Sequence, residues 1–313
     1  MTRVAAVGEC MIELRHVDDE TLALGFGGDT LNTAVYLARC GRGIGIEVDY
    51  VTAVGDDPYS RAMIEGWRRE NVGTDHVALI HGRHPGLYLI RTDDAGERSF
   101  TYYRSESAAR EMFRAPGVRL DETLHAYDLV YLSGITLSIL DSASRERLWD
   151  ALDAARAGGG RVAFDTNYRP WGWSDEHAAR VAVERTLQRT DIALPTLEDE
   201  RQLFGDADEE ACVRRHQSLG CPEVAVKLGA QGTFVASQTD RWHVPAARPD
   251  RVVDTTAAGD AFNAAYLAAR LGGGVPESAA IEGNRLAAVV IAHAGAVIPR
   301  AVMPGSRKSA STP

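Results

Sequence analysis

Cysteine is scarce in this chain, and its cysteines do not pair. Cys10, Cys40, Cys212 and Cys221 are the only four among 313 residues. They form no C-x-x-C pair and lack zinc-ligand spacing. That excludes a disulfide-stapled scaffold and leaves buried thiols in a reducing cytoplasm as the expectation. Long apolar runs are missing too. The longest candidate, Leu286 to Ile298, is broken by His293 and Gly295 and falls short of the ~20 residues a membrane span needs. The N-terminus offers no signal-peptide core, because Glu9 and Glu13 fall inside its only apolar stretch. Positive charge is in deficit: 34 Lys and Arg against 44 Asp and Glu give a net charge of -10. That balance argues against nucleic acid or an anionic membrane as partner. An anionic substrate would have to meet positive potential assembled locally. A dinucleotide fingerprint is absent as well, since the first strand ends in Gly8-Glu9-Cys10-Met11 rather than G-x-G-x-x-G.

What remains is an ordinary globular composition, 45% hydrophobic and 25% charged, long enough for one large domain or a domain with an appendage. Val4 to Gly8 reads as a buried strand and Thr21 to Phe26 as another. Gly27-Gly28-Asp29-Thr30-Leu31-Asn32 then opens a helix in which Leu31, Ala34, Val35 and Ala38 hold i, i+3, i+4, i+7 spacing, closed by Gly41. The glycine pair either only makes a turn or lets a ligand approach the backbone, with Asn32 placed to hydrogen-bond a sugar hydroxyl. Asp49 to Val54 is a strand, and Asp56-Asp57-Pro58 caps a helix with proline at its first position. Leu87 to Thr92 and Arg98 to Arg104 flank Asp93-Asp94-Ala95-Gly96 as a hairpin. Period 2 puts Phe100, Tyr102 and Arg104 on one face. A hairpin amid helix–strand alternation predicts a small β-flap, whose exposed edge suits a second copy of the chain.

From Asp128 the alternation is regular. Strands at Leu129–Leu132, Val162–Phe164, Ile192–Leu194 and Val224–Lys227 are separated by helices that include Ser142–Ala157, Ser174–Arg189 and Asp208–Leu219. This predicts an α/β fold with a parallel sheet covered on both faces. Ligands of such sheets bind beyond the carboxyl ends of the strands. There the sequence places Ser133-Gly134, Asp165-Thr166-Asn167-Tyr168-Arg169, Pro195-Thr196 and Lys227-Leu228-Gly229. Pro276 opens a helix to about His293, and Arg300 to Pro313 reads as a polar, frayed tail.

The stretch from Val253 to Phe262 lies between a predicted strand, Arg241 to Val253, and a helix marked by Phe262, Ala265, Tyr266 and Ala269, with Gly272 past its end. One reading is a buried helix capped by Asp254 or Thr256. The other is an anion pocket, because the amides of Ala257, Ala258 and Gly259 lack intrahelical acceptors and the helix dipole favours negative charge there. Asp260 in the first turn would then stand beside that pocket as a proton acceptor.

Taken together, Gly8-Glu-Cys-Met-Ile-Glu13, Gly27-Gly-Asp-Thr-Leu-Asn-Thr33, Pro85-Gly-Leu-Tyr88, Gly96 to Arg104, Tyr131-Leu-Ser-Gly-Ile135, Phe164 to Pro170, Val226-Lys-Leu-Gly229 and Val253 to Phe262 resemble the ribokinase/PfkB family of sugar kinases. The resemblance runs from Val4 to about Pro304. The Tyr-Tyr-Arg and Asn-Tyr-Arg-Pro segments are similar to its ketodeoxygluconate branch. The resemblance implies a three-layer α/β sandwich with a central, mostly parallel sheet. A small β-lid, segments of about 10–27 and 85–105, is inserted in a domain of residues 1–304, ahead of a frayed 305–313. It also implies ATP-dependent phosphorylation of the 6-hydroxyl of 2-keto-3-deoxy-D-gluconate with Mg2+, and it leaves room for a monovalent cation.

By the same resemblance Asp260 is the general base and the Ala257–Gly259 turn the anion hole. Gly28, Asn32, Tyr88, Tyr102 and Asp254 surround the sugar. Arg104 and Arg169 hold the substrate carboxylate, Arg169 alternatively an ATP phosphate. Asn167, Lys227, Gly229 and Gly232 belong to the nucleotide site. Two departures stand out. Alanine occupies position 257, where glycine is common, which suits a φ below zero. The family's Asn-x-x-Glu appears as Thr196-Leu-Glu-Asp199, which would leave Asp199 to organise Mg2+ through water. Two alternatives stay open: a kinase of the same family for a neutral sugar of the fructose or ribose type, and a non-catalytic sugar- or nucleotide-binding regulator.

Overall fold

The computed structural model describes residues 1–92 and 98–304. The chain opens with β1 (Thr2–Val7), β2 (Met11–His16), β3 (Leu22–Gly27), α1 (Asp29–Cys40), β4 (Ile46–Gly55), α2 (Pro58–Arg69), β5 (Val72–Gly73), β6 (Val77–Ile80), β7 (Leu87–Thr92) and β8 (Arg98–Tyr103). It continues with β9 (Leu129–Ser133), α3 (Gly134–Ile139), α4 (Ser142–Ala157), β10 (Arg161–Asp165), α5 (Glu176–Leu187), β11 (Ile192–Ala193), α6 (Leu197–Phe204), α7 (Glu209–Ser218) and β12 (Glu223–Lys227). It closes with β13 (Thr233–Ala236), β14 (Arg241–Val244), α8 (Ala258–Leu271) and α9 (Pro276–Ile291).

Among the described residues, ten strands form the main sheet in the order β14-β13-β12-β11-β10-β9-β1-β4-β5, with β6 beside β4. Pairing is parallel from β12 through to β5 and antiparallel at β12–β13 and β13–β14. Alternation along each strand supplies two apolar faces. Val4, Ala6, Leu129 and Tyr131 pack with α1, α2, α8 and α9. Ala5, Val7, Val130 and Leu132 pack with α3 to α7. The three layers follow from strands that are apolar on both sides.

Helix starts obey local chemistry. Asp57 caps α2, its carboxylate accepting the Tyr59 and Ser60 amides at 2.8 and 3.1 Å, with Pro58 at the first position. The strand expected over Arg241–Val253 stops at Val244, because Pro245 and Pro249 remove the donors a further ladder would need. The tail expected from Arg300 is helical at Arg300–Val302, and Arg300 Nε donates to Glu70 Oε2 at 3.0 Å. Residues 305–313 lie outside the described residues.

A second sheet of four described strands, ordered β3-β2-β7-β8, stands apart from the first. The turn expected at Asp93-Asp94-Ala95-Gly96 lies outside the described residues. One face carries Tyr88, Tyr102 and Ile90, packed with Met11. The other shows Leu22, Leu24 and Tyr103 to solvent, 40%, 54% and 63% exposed.

Candidate active site

Helix α8 begins at Ala258 because the chain reverses at Ala257, whose φ of 60° and ψ of 15° are left-handed. The sequence favoured a negative φ there, so this is a correction. The conformation costs an alanine about 1–2 kcal/mol and persists because the surroundings impose it. Asp254 does part of that holding. Buried, it accepts the Thr256 amide on Oδ1 at 3.0 Å and the Gly295 amide on Oδ2 at 2.8 Å. The expected trio of outward amides is also modified, since Ala258 N–H donates to the Thr255 carbonyl at 3.3 Å. The Ala257 and Gly259 amides have no backbone acceptor among the described residues. The space over Gly259 is open: an added Cβ would meet only Lys227 Nζ, at 3.5 Å.

Asp260 sits in the first turn of α8, and Asn32 Nδ2 of α1 donates to its Oδ2 at 2.9 Å. The residue keeps an edge in solvent, but its carboxylate is crowded by protein. Burial, then the negative charge of Asp29, pushes its pKa up to about 8; Asn32 and Lys227 pull the other way. Asp29 lies three residues before Asn32 on the same helix and accepts Asn167 Nδ2 at 2.7 Å. Asn167 itself adopts a φ of 33° at the end of β10.

Beneath the α8 turn lies a buried polar cluster. Lys227 Nζ donates to Asp165 Oδ2 at 2.7 Å and to Asn263 Oδ1 at 3.1 Å. Asn263 Nδ2 donates to Asp165 Oδ2 at 2.7 Å and to the Tyr131 hydroxyl at 3.1 Å. Lys227 is therefore neither a solvated strand end nor reaching outward to a ligand; its charge is neutralised by Asp165 below Gly259. Gly229 and Gly232 shape the β12–β13 connection with φ of 59° and 101°. A Cβ on Gly232 would lie 2.1 Å from the Val244 carbonyl.

The lid supplies the opposite wall. Gly28 caps α1 where a Cβ would come 2.2 Å from the Glu9 carbonyl, so the glycine pair allows close backbone packing. Arg104, following β8, forms a buried ion pair with Glu9, the two side chains 10% and 1% exposed. Tyr88 donates its hydroxyl to Glu13 rather than standing free. Tyr102 stacks on Trp171, centroids 4.2 Å apart and planes at 23°. Arg169 donates to Asp199 at 3.2 Å. Asp199 is thus paired with a guanidinium, and its pKa, raised to about 6, reflects burial first. The carboxylates Asp165 and Asp199 each already hold a cationic side chain. They make no all-protein cage for Mg2+, a fit for an ion that arrives with its nucleotide and keeps its waters.

Sequence reasoning missed Glu9, Asp29, Asn263 and Trp171 as members of this constellation. Glu9 and Asp29 stood inside quoted motifs, so the signal was present. Asn263 lies three residues after Asp260, on the same face of α8, and was legible in principle. Trp171 gave no signal, because its partner Tyr102 is distant in sequence. Of the expected residues, the structure brings Gly28, Asn32 and the α8 turn together. It places Arg104 and Tyr102 with Trp171 on the lid side, and Arg169 with Asp199 at the far strand ends.

Comparison with known proteins fits this arrangement. The chain matches the pfkB family carbohydrate kinase description over residues 1–301. It is 45% identical over 305 residues to the 2-dehydro-3-deoxygluconokinase of Dickeya dadantii, covering 96% of this chain and 98% of that one. It is 44% identical over 306 residues to the 2-dehydro-3-deoxygluconokinase of Escherichia coli K12, covering 96% and 99%. Among solved structures, a double mutant of Vibrio cholerae fructokinase with fructose, ADP and potassium ion bound superposes with a TM-score of 0.81 at 25% identity, covering 95% and 94% of the two chains. The chain belongs to the pfkB family of carbohydrate kinases.

Proposed function

We propose that this enzyme transfers the γ-phosphoryl group of ATP to the 6-hydroxyl of 2-keto-3-deoxy-D-gluconate. The observation that carries the reading is Asp260: a crowded carboxylate with raised proton affinity, fixed by Asn32, in the first turn of a helix whose start is open above Gly259. A sugar hydroxyl is hardly acidic at neutral pH. A base whose pKa lies near the working pH combines an ionised fraction with a real affinity for the proton. The near full-length relatives named for the keto acid supply the substrate.

In this mechanism Asp260 accepts the 6-hydroxyl proton as the oxygen attacks the γ-phosphorus of ATP and the bond to the bridging oxygen breaks, releasing ADP. The Ala257 and Gly259 amides and the positive end of α8 face the charge that builds on the transferring group, the largest lever for such reactions. Lys227, neutralised by Asp165 and hydrogen-bonded to Asn263, supports the floor beneath Gly259. Asp199 would hold Mg2+ through water, and the ion would supply charge neutralisation on the nucleotide. Asn167, Gly229 and Gly232 border the nucleotide side. Gly28, Asn32, Tyr88, Tyr102 and Asp254 border the sugar, with Arg104 and Arg169 at its carboxylate end.

Two finer points belong with this reading. The lid, with Leu24 and Tyr103 exposed, pairs through its edge with the lid of a second copy, and sedimentation equilibrium of the purified protein would report it. A K+ requirement shows as lower activity when Na+ replaces K+. The substrate itself is tested by ADP release on ketodeoxygluconate, its C4 epimer, gluconate, fructose and ribose. Preference for a neutral sugar would overturn it.

A further inference from the structure

Strand β10 runs out into a strained turn. Asn167 there holds a φ of 33°, in the left-handed region. Asparagine tolerates that region better than most side chains, but such a conformation persists only where the surroundings hold it. Two carboxylates do the holding. Asp165 Oδ1 accepts the Asn167 amide at 3.2 Å, and Asp29 Oδ2 accepts Asn167 Nδ2 at 2.7 Å from 138 residues away. The same stretch passes close over Gly134, where a Cβ would come 1.9 Å from the Thr166 carbonyl. Both carboxylates are tied in turn. Asp165 Oδ2 accepts Lys227 and Asn263, and Asp29 opens α1 three residues before the Asn32 that donates to Asp260.

The Asp29 bond settles which way the Asn167 carboxamide faces. A carboxylate only accepts, so the NH2 group of Asn167 must turn toward α1. Oδ1 then lies on the other side of the carboxamide. It remains open to solvent and has no hydrogen-bond partner among the described residues. The donors a nucleotide brings are its hydroxyls, its base amine and the waters around its cation. Its phosphate oxygens would be repelled by an acceptor. A carboxamide turned the other way would offer a donor instead, and the preference would reverse.

We infer that Asp29 is a positioning residue for nucleotide binding, orienting the Asn167 carboxamide so that Oδ1 is the atom offered to the donors of the nucleotide. The inference rests on the placement of Asn167 at the nucleotide side in the reading above and deepens it. Because Asp29 stands between Gly28 and Asn32, the same bond ties the sugar side of the site to the nucleotide side.

The test is calorimetric titration of the full-length enzyme with Mg2+ and ADP, which needs no sugar and so does not depend on the keto acid. Asp29→Ala removes the acceptor and should weaken ADP binding roughly 10-fold, the loss of about one charge-assisted hydrogen bond. Asp29→Asn removes the charge but keeps an acceptor for Asn167, so its affinity should stay within about threefold of the parent. A role confined to the helix dipole would be lost in both variants. Asn167→Ala should weaken binding about as much as Asp29→Ala, and the two together should add less than about twofold to Asn167→Ala alone, since one residue acts through the other. Equal losses in Asp29→Ala and Asp29→Asn, parent-like affinity in Asp29→Ala, or additive losses in the double variant overturn the inference alone. Parent-like affinity in Asn167→Ala overturns the nucleotide-side placement of Asn167 and the inference with it. If melting curves show that Asp29→Ala does not fold, the exchanged pair decides. Asp29→Asn with Asn167→Asp restores a hydrogen bond with donor and acceptor swapped. Tighter ADP binding than Asn167→Asp alone supports the inference, and equal or weaker binding overturns it.

Discussion

Asn32 Nδ2 donates to Asp260 Oδ2 at 2.9 Å across 228 residues of sequence, joining the start of α1 to the start of α8. One bond thereby links the glycine-pair motif near the N-terminus to the anion turn near the C-terminus. It also fixes the orientation of the carboxylate on which the proposed chemistry depends. The Asn32 Oδ1 atom is buried without a partner, so the amide is held from one side only.

Removing the base is the first test. Asp260→Asn keeps the shape and the Asn32 contact while abolishing proton acceptance. Turnover is expected to fall at least ~100-fold, with ATP affinity retained by isothermal calorimetry. Near-normal turnover would take Asp260 out of the mechanism.

The raised pKa of Asp260 makes a stability prediction with a definite sign. Its folded value, about 8, lies above the unfolded value of 3.8. Between those two pH values the folded chain holds a proton that the unfolded chain has released, so stability falls as pH rises through the window. Asp199 and Glu200, raised to about 6 and about 7 mainly by burial, add slopes of the same sign. Asp260→Asn removes one slope. Its melting temperature relative to the parent should climb from pH 5 to pH 8 and level off above. Asp29→Asn, which removes the nearest repelling charge, should shift the Asp260 transition to lower pH.

Ala257 offers a stabilising substitution. Glycine relieves the left-handed penalty of about 1–2 kcal/mol but loosens the unfolded chain by ~0.4–1 kcal/mol. Ala257→Gly should therefore gain on the order of 0.5–1 kcal/mol in urea unfolding. Ala257→Val should lose more than that, because branching at Cβ worsens the same conformation.

The Lys227–Asp165 pair separates structural from nucleotide roles. Lys227→Met strands a buried carboxylate and should destabilise by ~3–5 kcal/mol. Adding Asp165→Asn should recover much of that. If the double variant regains stability yet still turns over slowly, the ion pair beneath Gly259 acts in catalysis. Full recovery of both would confine Lys227 to support.

The layered fold was legible because its signals are local and periodic: Leu31, Ala34, Val35 and Ala38 on one helix face, apolar strand runs after Asp128, and Asp57-Pro58 at a helix start. Strand β2 was not, since Met11 to His16 carries Glu13 and Arg15 and pairs with distant Leu87–Ile90. Motif order located Asp260, Asn32 and Gly28. The partners of the arginines and of Lys227 were hidden, because which carboxylate a cation meets is set by tertiary approach. Glu9 is 95 residues from Arg104, and Asp165 is 62 from Lys227. Backbone sign at Ala257 was read wrongly for a related reason: the frame that imposes it includes Gly295, far along the chain.

The most direct measurement is ADP release by the purified enzyme with ATP, Mg2+ and each sugar of the panel in parallel. The account predicts turnover with 2-keto-3-deoxy-D-gluconate that exceeds fructose, ribose and gluconate and that Asp260→Asn abolishes. Faster turnover with fructose or ribose, or no ADP release with any sugar, would contradict it.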